Sequence, residues 1–284
     1  MPCNTQRYSA QSESALSPAR AESIDRLVFR VERSATAPRR VKHAPAPSAH
    51  EFPASLLILD VVPERQILAM GGAPDEVLLD YVLSLARGRR LLYVPTAVRE
   101  DPDQIVYWYG RLRARGTTTH LSFFPWPPEN LRELTLQHDV ILVNGGNTAN
   151  ALAIWALAIW GVHGFDEILR EAWQQGVLLT GWSAGMICWF EQGVTDSFGP
   201  GLAAMDCLGL LPGSACPHYD GEERRRPVYT QLVADGFPGG IAADDDVGVH
   251  FVDRELREVV TSRDGATAYR VTPDGEQRLE ARLL

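Results

Sequence analysis

Lysine is almost missing from this chain: Lys42 stands alone among 27 basic residues. The preference for arginine reads as a coding bias, and no chemistry follows from it. Cysteine is sparse. Cys3, Cys188, Cys207 and Cys216 form no C-x-x-C pair and match no structural zinc spacing, which argues against a disulfide scaffold and a zinc ribbon. Long apolar runs are lacking too. The longest, Ala151–Val162, falls short of the roughly 18 to 20 residues that cross a bilayer, and no apolar secretory core stands at the N-terminus. The expectation is a cytoplasmic protein with no membrane partner. Net positive charge is also absent. At −9 the chain has little attraction for a polyanion, so no nucleic-acid partner is expected.

With 284 residues, 45% of them hydrophobic and 22% charged, the composition is that of a globular protein able to bury a large core. Residues 1–50 differ from the rest. They carry eight basic side chains against four acidic ones and are rich in Ser, Ala and Pro, and Ser34–Pro53 has the texture of a linker. Residues 1–54 are expected to be a disordered basic, proline-rich extension, and residues 55–284 a single domain. From Ser55 onward, short apolar runs alternate with stretches of helical period. Strands are expected at Leu56–Val62, Gln66–Met70, Leu91–Val94, Asp139–Val143 and Gly176–Thr180, and helices at Pro74–Ala86, Pro102–Arg115, Leu131–Gln137 and Phe165–Gln174. Apolar strands followed by helices predict a mostly parallel sheet covered on both faces. After Asp244 the texture turns antiparallel, with short strands at Val247–Val252, Val259–Ser262 and Ala268–Val271 and Asp-Gly turns at 264 and 274. The pentapeptide Ala-Leu-Ala-Ile-Trp occurs twice in tandem, at 151–155 and 156–160. Five residues advance a helix by about 140° beyond a full turn, so the copies cannot share a face, and the second reads as a local insertion.

Chemistry concentrates at Gly181-Trp182-Ser183-Ala184-Gly185, a G-x-S-x-G between an expected strand and an expected helix. Small neighbours allow a sharp turn that exposes the serine, and the N–H of Ala184 at the helix start is the natural oxyanion donor. Among the histidines able to serve as its base, His218 is preferred, because Pro217-His218-Tyr219-Asp220 is loop-like, whereas His250 lies within a strand. The orienting carboxylate is sought in Asp244-Asp245-Asp246, with Asp220 as local competitor. Gly145-Gly146-Asn147-Thr148 follows an expected strand and offers free N–H groups for an oxyanion; helix capping by Asn147 or Thr148 is the plainer reading. His218, Asp220 and the aspartate run form at most a weak metal motif, and neither metal nor cofactor is expected.

In this order, Gly-Gly-Asn-Thr at 145–148, Gly-Trp-Ser-Ala-Gly at 181–185, Pro-His-Tyr-Asp at 217–220 and Ile-Ala-Ala-Asp-Asp-Asp at 241–246 resemble the peptidase E family of serine peptidases, which includes alpha-aspartyl dipeptidases and is related to cyanophycinases. The resemblance spans roughly residues 65–272. It implies a three-layer α/β/α sandwich like that of the class I glutamine amidotransferases, with serine in place of their cysteine. It implies Ser183 as nucleophile, His218 as base, Asp245 as third member with Asp244 next, and the N–H groups of Gly146 and Ala184 as oxyanion hole. Asn147 and Asp196 fall in segments that the resemblance sets near a short peptide substrate with an N-terminal aspartyl residue. Arg224, Arg225 and Arg226 are candidates for its acidic side chain only by proximity to His218. Two other readings remain: an α/β-hydrolase-type esterase using His250, and a catalytically inactive binding protein docking a partner through Ala151–Val162. A homo-oligomer is compatible with any of them.

Overall fold

The computed structural model describes residues 63–156 and 164–284. The N-terminal extension, the expected strand at Leu56–Val62 and nearly all of the second repeat copy lie outside the described residues. In chain order the first half comprises β1 (Gln66–Met70), α1 (Glu76–Leu85), β2 (Arg90–Val94), a 3₁₀ turn (Thr96–Val98), α2 (Pro102–Leu112), β3 (Thr117–His120), α3 (Leu131–Leu136), β4 (Val140–Val143), α4 (Thr148–Trp155) and α5 (Phe165–Gln174). There follow β5 (Leu178–Trp182), α6 (Ala184–Ile187), β6 (Phe190–Thr195), β7 (Ala203–Asp206), β8 (Leu211–Cys216), α7 (Arg225–Ala234), β9 (Gly240–Ala243), β10 (Val247–Val252), β11 (Glu255–Thr261), β12 (Ala268–Thr272), β13 (Gly275–Arg278) and β14 (Ala281–Leu283).

The apolar strands form an eight-stranded sheet in the order β14-β11-β10-β1-β5-β4-β2-β3. Strands β1, β5, β4, β2 and β3 run parallel, and β10 and β11 continue the sheet antiparallel. Side chains alternate across it, so each apolar strand feeds two cores. Ile67 and Ala69 join Trp155, Phe165, Leu169 and Trp173 of α4 and α5. Leu68 and Met70 join Leu79, Val82 and Leu83 of α1 and Trp108 and Leu112 of α2 on the opposite face. Both faces being covered, the central strands read as continuous apolar runs rather than alternating ones, which is why they were legible. Local chemistry sets the helix starts: Asp75 Oδ1 accepts from the N–H of Leu78, and Asp101 Oδ1 from those of Asp103 and Gln104.

A second sheet of six strands, β13-β12-β9-β8-β6-β7, departs from the expectation of one sheet. Its strands are poor in apolar runs: β8 is Leu-Pro-Gly-Ser-Ala-Cys, and β7 alternates between half-buried and exposed positions. Here strand formation rests on pairing between distant segments, which no local pattern displays. The two Asp-Gly turns accordingly differ. Gly275 closes the β12–β13 hairpin opposite Thr272, as expected, whereas Asp264-Gly265 leads from β11 in one sheet to β12 in the other. The C-terminal β14 also runs parallel, not antiparallel, to β11.

This order brings the loops after β1, β5, β4 and β2, adjacent parallel strands, to one edge of the sheet. Such carboxyl-end crevices are where open α/β sheets hold ligands.

Candidate active site

Strand β5 ends in the turn carrying Ser183. Glycine is required on both sides of it: a methyl group on Gly181 would lie 2.5 Å, and one on Gly185 2.3 Å, from the Val143 carbonyl oxygen. This close approach lets the chain reverse into α6 against β4. Ser183 itself has φ +54° and ψ −111°, a conformation that costs a non-glycine residue about 1–3 kcal/mol. The neighbouring structure holds it there. Its N–H donates to the Met70 carbonyl at 3.2 Å, and its own carbonyl accepts from Met186 and Ile187 at 2.9 and 3.0 Å. The N–H of Ala184 has no partner among the described residues.

Gly145 and Gly146 follow β4 and abut this turn. A methyl group on Gly145 would lie 2.8 Å from Trp182 Nε1 and 3.2 Å from Ser183 Cβ. Gly146 has φ +130°, and a methyl group there would meet the Ala97 carbonyl oxygen at 2.4 Å. Its N–H, like that of Ala184, is unused among the described residues.

The loop after β8 delivers His218, with φ +53° and its N–H directed to the Gly71 carbonyl at 3.3 Å. His218 Nδ1 lies 2.6 Å from Asp245 Oδ1. The hydrogen bond to His218 is the main cause of an Asp245 carboxyl held below its ordinary range, with help from the charges of His218, Arg263 and Arg225 against partial burial. An ionised carboxylate only accepts, so His218 Nδ1 carries the proton and Nε2 is free to take one. Close backbone walls hold Asp245 in place, since a methyl group on Gly72 or Gly221 would lie 2.3 or 2.2 Å from its carboxylate oxygens. Asp220 Oδ1 accepts the Asp245 N–H at 2.9 Å, and Arg263 donates to the Asp245 carbonyl, to Asp220 and to Asp246.

Asp244 turns the other way. It is buried, its Oδ2 accepts the Thr267 N–H at 3.0 Å, its Oδ1 has no partner, and burial raises its pKa. Of the three adjacent aspartates, Asp245 alone meets the imidazole. His218 Nδ1 and Asp245 Oδ1 are engaged with each other, and the Asp220 carboxylate with the Asp245 N–H and Arg263.

Ser183, Gly145, Gly146 and His218 line one cleft of about 710 Å³, which extends to Arg99, Gln104 and Asn150. Ser183 and Gly146 also line a smaller depression of about 300 Å³ with Asn147, Asp196, Glu222 and Arg225. No hydrogen bond joins Ser183 Oγ to His218 among the described residues, although both face the larger cleft.

Other sequence-derived candidates fare unevenly. Asn147 lines both depressions, but its side chain caps α4 through Asn150 N–H at 2.8 Å and donates to the Ser197 carbonyl at 3.0 Å. Asp196 stands in the smaller depression. The three consecutive arginines are all occupied: Arg224 donates to the Pro200 carbonyl, and buried Arg225 binds Glu222 and the Val194 carbonyl. Arg226 lies over Tyr219 and Tyr269 and pairs with Glu276. His250 is buried within β10 against Gln66 Oε1 and Tyr81, and it lines neither depression. Sequence reasoning missed Gly72, Gly221 and Arg263 around Asp245. Their only signal would have been adjacency of segments far apart in the chain.

The chain is similar to known proteins over most of this framework. The model of peptidase family S51 matches residues 67–259. "Uncharacterized peptidase YgaJ" of Bacillus subtilis (strain 168) is 46% identical over 217 residues, covering 73% of this chain and 92% of that one. A crystal structure of a candidate peptidase E protein from Listeria monocytogenes EGD-e covers 76% of this chain and all of its own, at 19% identity and a TM-score of 0.49. With a family model matched across the strands that carry Gly146, Ser183, His218 and Asp245, the chain belongs to peptidase family S51, a family of serine peptidases.

Proposed function

We propose that the chain hydrolyses short peptides through an acyl-enzyme on Ser183. The observation that carries this reading is the pairing of His218 with an ionised Asp245 in the same cleft as a serine held in a strained strand-to-helix turn. Ser183 Oγ attacks the scissile carbonyl carbon while His218 Nε2 takes its proton. The carbonyl oxygen becomes an oxyanion facing the unused N–H groups of Gly146 and Ala184, where fixed dipoles stabilise charge better than water does. Collapse of the tetrahedral intermediate breaks the C–N bond, and His218 passes the proton to the leaving amine. Water then attacks the ester by the same route in reverse, freeing the acid and Ser183.

The acyl residue belongs on the side of Asp196 and Glu222, whose carboxylates suit a free amino terminus; an aspartyl residue there is the finer expectation from the family resemblance. Helices on both faces of the parallel strands support reading the fold as a three-layer α/β/α sandwich of the class I glutamine amidotransferase type. Neither metal nor organic cofactor has a part in these steps.

The test is intact-mass analysis after incubation with a fluorophosphonate probe, comparing the wild type with Ser183→Ala. One adduct on the wild type, lost in the variant, is expected. A folded wild-type protein that takes no adduct overturns the acyl-enzyme reading in favour of a binding protein on the same framework.

A further inference from the structure

Arg99 stands on the wall of the Ser183 cleft in a backbone conformation that arginine avoids. Its φ is +61°, and that of the next residue, Glu100, is +56°. Left-handed geometry is costly for an L-residue with a side chain, and glycine would adopt it freely. The surroundings enforce the turn. Arg99 N–H bonds to the Thr96 carbonyl at 3.0 Å, Glu100 N–H to the Pro95 carbonyl at 3.1 Å, and the Ala97 carbonyl accepts from Asn147 N–H at 2.9 Å. The Glu100 carboxylate gathers the N–H groups of Phe123 and Phe124 and the Ser122 hydroxyl. Asp101 is committed to capping α2.

Both neighbouring acids are thus turned to backbone groups, and the Arg99 guanidinium has no hydrogen bond or ion pair among the described residues. It is exposed, in contrast to Arg225, and among the described residues it is the one arginine lining this cleft. The side-chain amides of Gln104 and Asn150, which line the same cleft, are also without partners among the described residues. Three unused donor groups facing one cleft suit a carboxylate. They are near the reacting centre as well. Ala97 touches Gly146, and Arg99 is two residues further on, within about 7 Å of chain.

The direction of the substrate follows from His218. A base that protonates the leaving amine must adjoin the leaving residue, and His218 lines the Arg99 cleft but not the depression of Asp196 and Glu222. We infer that Arg99 is a specificity residue that binds the free C-terminal carboxylate of the leaving residue, with Gln104 and Asn150 beside it, so that the site selects peptides ending in this cleft. This rests on the acyl-enzyme reading for its orientation, but the carboxylate subsite is testable without turnover.

The experiment is calorimetric titration of the Ser183→Ala protein with Asp-Leu and Ala-Leu and with their C-terminal amides. The acids are expected to bind about tenfold or more tightly than the amides, as for a charge-assisted contact. In Ser183→Ala/Arg99→Gln that ratio falls toward one, and Arg99→Lys keeps part of it. Arg99→Gly separates strain from recognition: its melting temperature should rise while the ratio collapses. Equal binding of acid and amide, no saturable binding of either acid, or a ratio that survives Arg99→Gln overturns the inference. Fluorophosphonate labelling of the wild type is scored separately. A preserved ratio without labelling removes the acyl-enzyme and keeps the subsite, and labelling without a ratio does the reverse.

Discussion

Replacing Asp245 with Asn changes one atom and should remove nearly all activity. The carboxylate accepts from His218 Nδ1 at 2.6 Å and thereby leaves Nε2 bare, the atom that takes the Ser183 proton in the proposed mechanism. An amide at 245 can present its NH₂ to the ring, which selects the opposite tautomer, with Nδ1 bare and Nε2 already protonated. It also withdraws the charge that stabilises the imidazolium. In a serine triad this exchange lowers the rate by about 10³–10⁴-fold, or roughly 4–5.5 kcal/mol of transition-state stabilisation. Asp244→Asn is the control because the two aspartates are neighbours in sequence but face opposite ways. Asp244 touches Thr267 and not His218, so its activity should stay within about threefold of wild type. Its stability should change instead. Burial raises the Asp244 carboxyl, so the folded chain keeps this proton to higher pH than the unfolded chain. Stability therefore falls as pH rises from the unfolded carboxyl value through the folded one, and Asp244→Asn should gain most at neutral pH and little below about pH 4. The assay is the second-order rate of fluorophosphonate labelling at Ser183, supported by peptide turnover, with urea midpoints measured in parallel. Labelling of Asp245→Asn above a tenth of the wild-type rate, or a larger loss in Asp244→Asn, would refute the assignment.

Three further outcomes follow from the packing. Gly185→Ala sets a methyl group 2.3 Å from the Val143 carbonyl oxygen, both on backbone that cannot swing aside; a loss of about 1–3 kcal/mol with slower labelling is expected, and an unchanged melting temperature counts against the close approach. Buried Asp139 accepts from Arg90 N–H, Nε and Nη2 at 3.0, 3.1 and 2.9 Å, and the Arg90 hydrogen bonds hold its carboxyl low. Its stabilisation is present above the unfolded value near about 3.9 and lost as pH falls through the lower folded one. Asp139→Asn should then weaken the fold at pH 7, with the gap to wild type closing as pH falls below about 4; a constant gap in urea midpoints contradicts this. Burial pushes the Cys188 thiol up and that of Cys216 to about 12, so in a Cys3→Ser background neither should react with maleimide until urea unfolds the chain, as read by mass.

Whatever depends on one segment alone is legible in that segment. The runs at Gln66–Met70 and Asp139–Val143 have the apolar texture of covered strands, Phe165–Gln174 has helical period, and the glycines around Ser183 mark a sharp turn. The preference for His218 over His250 likewise rests on local texture, a loop against a strand, and the structure places His218 against Asp245 and His250 inside β10. The remainder comes from contacts between distant segments. Asp244 and Asp245 are indistinguishable in composition, and only the walls formed by Gly72 and Gly221 and the hydrogen bond from Thr267 turn one to the imidazole and the other into the core. Arg225 resembles a ligand in sequence but is buried on Glu222, while Arg99, remote from every motif, lines the cleft of Ser183 without a partner among the described residues. The second sheet was equally hidden, its strands being held by partners rather than by their own apolar pattern. Local periodicity records which face of a segment is buried. A site assembled from loops at residues 71, 97, 145, 183, 218 and 245 depends on strand order and register, which are set by contacts between segments far apart in the chain.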